Sequence, residues 1–222
     1  MDLPFTKGEF FALFGRYNVD VWPAQVALQV MALAVLALVW RGRPSHGRWV
    51  AGALALLWAW MAVAYHFAYF TAINPAAWAF GAVSLLGALL LAWIGVVRGR
   101  LEFARRGDLR GWTGGALVLF ALLAYPLLGW AMGHRYPEVP TFGLPCPTTI
   151  FTIGTLLFAR GAVPRSLLVV PVLWSAVGSS AAFTLGVYQD LGLLVAGVVA
   201  VMAMTPVMTS RRPTPPTAPR PS

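Results

Sequence analysis

Long apolar runs, separated by short segments that collect nearly every charge, set the pattern of this chain. A helix rises 1.5 Å per residue, so roughly 20 apolar residues cross a ~30 Å hydrocarbon core. Six runs have about that length: residues 22–40, 49–70, 76–97, 112–131, 166–183 and 190–208. A seventh, 147–160, is shorter. It either crosses tilted, in thinned membrane or with its preceding loop dipping into the protein, or stays a partly buried core helix. The expected fold is all-α, a polytopic transmembrane helix bundle of about seven crossings.

Residues 1–21 precede the first run. Thr6-Lys7-Gly8-Glu9 fits a capping box, and Phe10, Phe14 and Tyr17, joined by Phe11 and Leu13, share one helical face. This predicts an N-terminal interfacial amphipathic helix lying in the headgroup plane until Pro23 turns the chain inward. The first run ends in Trp40-Arg41-Gly42-Arg43 and reads as a retained anchor, not a cleaved signal. Residues 22–208 form the transmembrane domain, and 209–222, rich in Pro and Arg, predict a disordered cytoplasmic tail.

Composition agrees with the pattern. Of 222 residues, 59% are hydrophobic and 10% charged, against roughly 25% charged in soluble domains. Charges this few leave lipid as the partner for most of the surface. Arginine and lysine alternate between loops: thirteen fall in the segments around 41–48, 98–110, 160–165 and 211–220, and three (Lys7, Arg16, Arg135) in the others. The positive-inside rule then puts the C-terminus in the cytoplasm and the N-terminus outside. The same bias accounts for the net charge of +9 without nucleic acid as a partner.

The middles of the runs contain no Asp, Glu, Lys or Arg, which counts against a pump built on a buried carboxylate. Polar residues gather instead near the expected outer face: His66, His134, Glu138, Cys146, Thr148, Thr149 and Asp190 form the candidate polar site. In Pro145-Cys146-Pro147-Thr148-Thr149, prolines bracket the cysteine at a helix start. Two readings stay open there: an anion or polar-solute site with Cys146 favoured as thiolate by the helix dipole, or a stiff loop whose threonines bond their own backbone. Gln25, Gln29, Asn74, Ser175 and Ser179 read as helix-packing groups or the lining of a polar pathway. Catalytic residues, metal and cofactor are not expected. Haem or copper on His66 and His134, with Cys146 or Met132, is the secondary reading, because the spacing matches no ligand motif. Trp22, Trp40, Trp49, Trp78, Trp112 and Trp130 lie near run ends as an aromatic belt.

At Val21-Trp22-Pro23-Ala24-Gln25, Ala72-Ile73-Asn74-Pro75-Ala76-Ala77, Thr141 through Thr149 and Gln189-Asp190-Leu191-Gly192-Leu193, the chain resembles a family of bacterial multi-pass inner-membrane proteins catalogued as a domain of unknown function. The resemblance covers residues 1 to about 208. It implies a bacterial plasma membrane and supplies no substrate, cofactor or catalytic residue; some members carry a loose permease label. The leading functional expectation is a small transporter or permease-like protein for an unidentified solute. The alternatives are a membrane redox, metal or haem enzyme using the outer-face His and Cys, and an accessory subunit packing on a partner membrane protein or on a second copy.

Overall fold

Eight helices carry residues 3–204, the part of the chain that the computed structural model describes. The proposed tail 209–222 and the end of the last run lie outside the described residues. Helix α1 spans Lys7–Asp20. Five helices are long and apolar enough to cross a membrane: α2 (Ala24–Arg41), α3 (His46–Ala72), α4 (Ala77–Val97), α5 (Leu109–Ala131) and α7 (Arg165–Thr184). Shorter α6 (Pro145–Leu156) and α8 (Tyr188–Met204) complete an all-helical bundle.

Helices α2 to α8 run alternately between two ends. At one end, Arg160 Nη2 donates to Gly42 O at 2.8 Å, Arg106 Nη1 to Ala159 O at 3.0 Å and Arg165 Nε to Met204 O at 3.0 Å. All the described arginine-rich loops therefore share that end. The opposite end brings together α1, the turn after α3, the loop before α6 and the loop after α7. There Tyr69 Oη donates to Asp20 at 3.0 Å, and Asn18 reaches the loop before α6. The short run thus joins both ends of the bundle.

Helix α6 has 12 residues and an axial length of about 18 Å, well short of a bilayer core. Neighbouring helices shelter it. It packs against α3, α5, α7 and α8, and Ile150, Phe151, Ile153 and Leu156 are fully buried. Trp58 of α3 donates its indole N–H to Thr152 Oγ1 at 3.0 Å. Against α5 the backbones nearly touch: a Cβ on Gly154 would lie 2.9 Å from Gly114 O, and one on Gly114 2.8 Å from Gly154 O. The helix opens at Pro145, two residues earlier than expected, because Pro145 and Pro147 both fit a first turn that needs no N–H.

The capping box of α1 forms, with Thr6 N–H donating to Glu9 Oε2 at 2.7 Å and Glu9 N–H to Thr6 Oγ1 at 3.2 Å. Its apolar face is turned differently from the expected one. Phe10, Phe11, Leu13, Phe14 and Tyr17 are buried against the end of the bundle instead of facing headgroups. Trp60 Nε1 donates to Tyr17 Oη at 2.7 Å, and burial pushes the Tyr17 phenol up to about 12 against that bond. The six belt tryptophans are all exposed, whereas Trp58 is core. His46 turns its Nδ1 to Leu38 O at 3.1 Å.

Candidate functional site

Beneath α1, at the arginine-poor end, lies a cavity of about 140 Å³. Three helices meet at its polar floor through Tyr125 (α5), Cys146 (α6) and Asp190 (α8). Tyr125 Oη donates to Asp190 Oδ1 at 2.5 Å, and both residues are almost wholly buried. The Cys146 thiol adjoins both groups and the Trp174 indole. The wall is a chain of rings: Phe14–Phe10 at 4.6 Å between centroids, Phe10–Phe5 at 5.6 Å, Phe5–Phe70 at 5.7 Å, Phe70–Phe80 at 6.3 Å and Phe80–Trp174 at 5.4 Å. Leu3, Val177, Ser180 and Thr184, all exposed, mark the mouth.

Local irregularities aim these groups. A π-helical turn at Phe120–Ala124 immediately precedes Tyr125, and such a turn rotates the next residues relative to a regular helix. Pro126 supplies no N–H to repair the ladder there. Asp190 closes a 3₁₀ turn, its N–H donating to Val187 O at 2.9 Å, after Gly186 turns the chain at φ +72°. Pro171 interrupts α7 one turn before Trp174, and Ser175 Oγ donates to its carbonyl at 2.8 Å. The regular helix lapses for one residue at Ser179, beside Val177 and Ser180 of the mouth.

Asp190 is the one acid in the described lining of the cavity. Among the described residues no Lys or Arg lines it, and the described ion pair, Arg106–Asp108, lies at the other end. This changes two expectations. A carboxylate at the start of a run is as buried here as one at its middle, because α5 and α6 cover the start of α8. The start of α6 is also a poor anion site: Pro145 and Pro147 remove two of its donors, and Asp190 faces it.

The expected site residues divide. Cys146 and Asp190 share the cavity, and Asn74 stands at its edge, its Oδ1 accepting from Ala76 N–H at 3.0 Å. His66 lies behind the wall, fully buried, its ring 5.0 Å from that of Trp174 and 6.0 Å from Phe80; among the described residues neither ring nitrogen has a hydrogen-bond partner. His134 is elsewhere, stacked on Phe11 at 4.1 Å, its basicity lowered by burial and by nearby Lys7. The histidines thus keep separate ring neighbours, and among the described residues no group of three or more His, Cys, Asp or Glu is placed to hold a metal ion. Glu138 packs on Gly15, so it does not join the cavity either. Thr148 and Thr149 are buried in α6 outside the cavity lining, and among the described residues their hydroxyls have no hydrogen-bond partner.

Gln25 donates to Asn18 Oδ1 at 2.6 Å, within a cluster that ties α1 and α2 to the loop before α6; Gln29 is half-buried a turn further on. Ser175 also packs on α8, where a Cβ on Gly197 would lie 2.6 Å from its own, and Ser179 donates to Ala176 O at 3.3 Å.

Tyr125 and Trp174 join the site without having been expected there. Each carries one weak signal, a polar atom within an apolar run that needs a partner when buried. No curated protein and no solved structure matches the chain. A family model does match, from residue 7 to residue 213, and the chain accordingly belongs to the family of unknown function DUF6064.

Proposed function

We propose that the chain is a small permease-like carrier of the bacterial inner membrane. Its arginine-rich loops and C-terminus face the cytoplasm, and its cavity takes a solute from the outer side. One observation carries this reading: a carboxylate buried at the floor of a cavity within a bundle whose remaining runs are apolar. A subunit selected for packing alone would fill the volume, since unfilled space forfeits dispersion contacts along its lining. It would also replace an intramembrane acid, which is expensive to keep and is typically retained for ligand or ion handling. Toward the arginine-rich end the route is closed by α6, whose Ile150, Phe151 and Ile153 are fully buried. A carrier must therefore move α6 or its neighbours to release solute on that side.

Cys146 is the chain's single cysteine, so it reports on the cavity without engineering. A membrane-impermeant thiol reagent applied to right-side-out and to inside-out vesicles tests the reading. A carrier exposes Cys146 to each side in turn and is labelled in both preparations. Labelling confined to right-side-out vesicles contradicts transport, and labelling confined to inside-out vesicles contradicts the orientation.

A further inference from the structure

The cavity's chemistry narrows what it takes. Its floor holds a carboxylate, and its described lining contains no cation to neutralise it. Two neutral groups face that carboxylate, the Tyr125 hydroxyl at 2.5 Å and the Cys146 thiol. The wall from Phe14 to Trp174 presents aromatic rings, whose faces attract cations more strongly when water is excluded. Calcium or magnesium is a poor fit, because these ions need six or more oxygens or near-ideal octahedral geometry, and the buried floor offers one carboxylate, one phenol and one thiol. The volume of about 140 Å³ is close to that of a roughly 150 Å³ protein cavity that admits benzene, which bounds the solute to a few heavy atoms.

We infer that the cavity binds a small organic cation of the ammonium class, its charge on Asp190 and its alkyl groups against the ring wall. This deepens the reading of the cavity as a solute site and rests on it. The ammonium supplies the positive charge that the lining lacks. The rings replace its hydration without demanding directed hydrogen bonds, and the phenol holds the carboxylate in place. An anion is disfavoured by Asp190 and by the missing donors at the start of α6.

The test uses the full chain in lipid nanodiscs and measures the rate at which N-ethylmaleimide alkylates Cys146. Choline and tetramethylammonium are the probes, and 3,3-dimethyl-1-butanol, the uncharged isostere of choline, is the control. The ammonium ions are expected to protect Cys146 with an affinity at least about tenfold above that of the isostere, a difference of about 1.4 kcal/mol. Asp190→Asn should erase the preference. Because that change also alters Tyr125's partner, Phe80→Leu provides a second variant, which thins the wall while keeping the acid and should weaken ammonium protection. Equal or stronger protection by the isostere overturns the cation class but leaves a solute cavity. Absence of protection by every probe overturns the inference too. Two-sided labelling of Cys146 decides the carrier reading separately.

Discussion

Tyr125 and Asp190, 65 residues apart in the chain, meet through a 2.5 Å hydrogen bond from phenol to carboxylate. The bond joins α5 to α8 at the one place where the described bundle buries an acid beside a cavity. Removing the hydroxyl leaves a buried acceptor without that donor, which costs about 1–3 kcal/mol. Tyr125→Phe should therefore lower the unfolding midpoint in detergent. Combined with Asp190→Asn it should cost less than the two single changes added, because the pair interacts directly. Strict additivity would show that the bond contributes nothing.

The α5–α6 contact at Gly114 and Gly154 leaves no space for a methyl group, since the atoms in the way are backbone carbonyls. Gly154→Ala is expected to destabilise by about 1–3 kcal/mol as an overpacking change. Gly115→Ala, whose nearest neighbour is a Phe158 ring atom at 3.9 Å, should be tolerated. Comparing the two melting midpoints checks the crossing geometry.

Asn18 is fully buried and fully used. Its Nδ2 donates to Pro137 O at 2.5 Å and to Val139 O at 2.8 Å, while Oδ1 accepts from Gln25 at 2.6 Å and Thr141 at 2.8 Å. Asn18→Ala strands these partners, at a cost on the order of 1–3 kcal/mol. Faster hydrogen exchange in residues 137–144 would locate the loss in the clamped loop, and unchanged exchange there would contradict the clamp.

At the other end, Asp108 caps α5. The Arg106 guanidinium, together with the Gly111 N–H, holds its carboxyl well below the ordinary range. A depressed folded-state value stabilises the protein above the unfolded value, and that stability is lost as pH falls through the folded one. The stability gap between wild type and Asp108→Asn should be constant near neutral pH and shrink once pH drops below the usual carboxylate range. A gap that widens on acidification would reverse the sign of the interaction.

Architecture was largely legible because its causes are local. Apolar run length, the arginine alternation and the Thr6–Glu9 box each depend on residues close in sequence, and each has a counterpart in the helices, the shared arginine-rich end and the cap. The cavity was legible only in part. Cys146 and Asp190 stood out as polar residues at run ends. Tyr125 looked like one more aromatic in an apolar stretch, and its partner lies 65 positions away. The position of α1 was hidden for a similar reason: an apolar helical face suits lipid or protein equally, and only the rings of Tyr65 and Phe70 beneath it decide for protein.

The central claim is that the cavity under α1 is the route by which small molecules reach the Tyr125–Asp190–Cys146 floor. Its most direct test is the rate of Cys146 modification by a small impermeant thiol reagent in right-side-out vesicles, compared between wild type and Ala181→Trp, which fills the cavity near its mouth. With folding verified by an unchanged melting midpoint, the claim predicts ready modification of the wild type and its near-complete loss in the variant. Equal rates in the two proteins would contradict it.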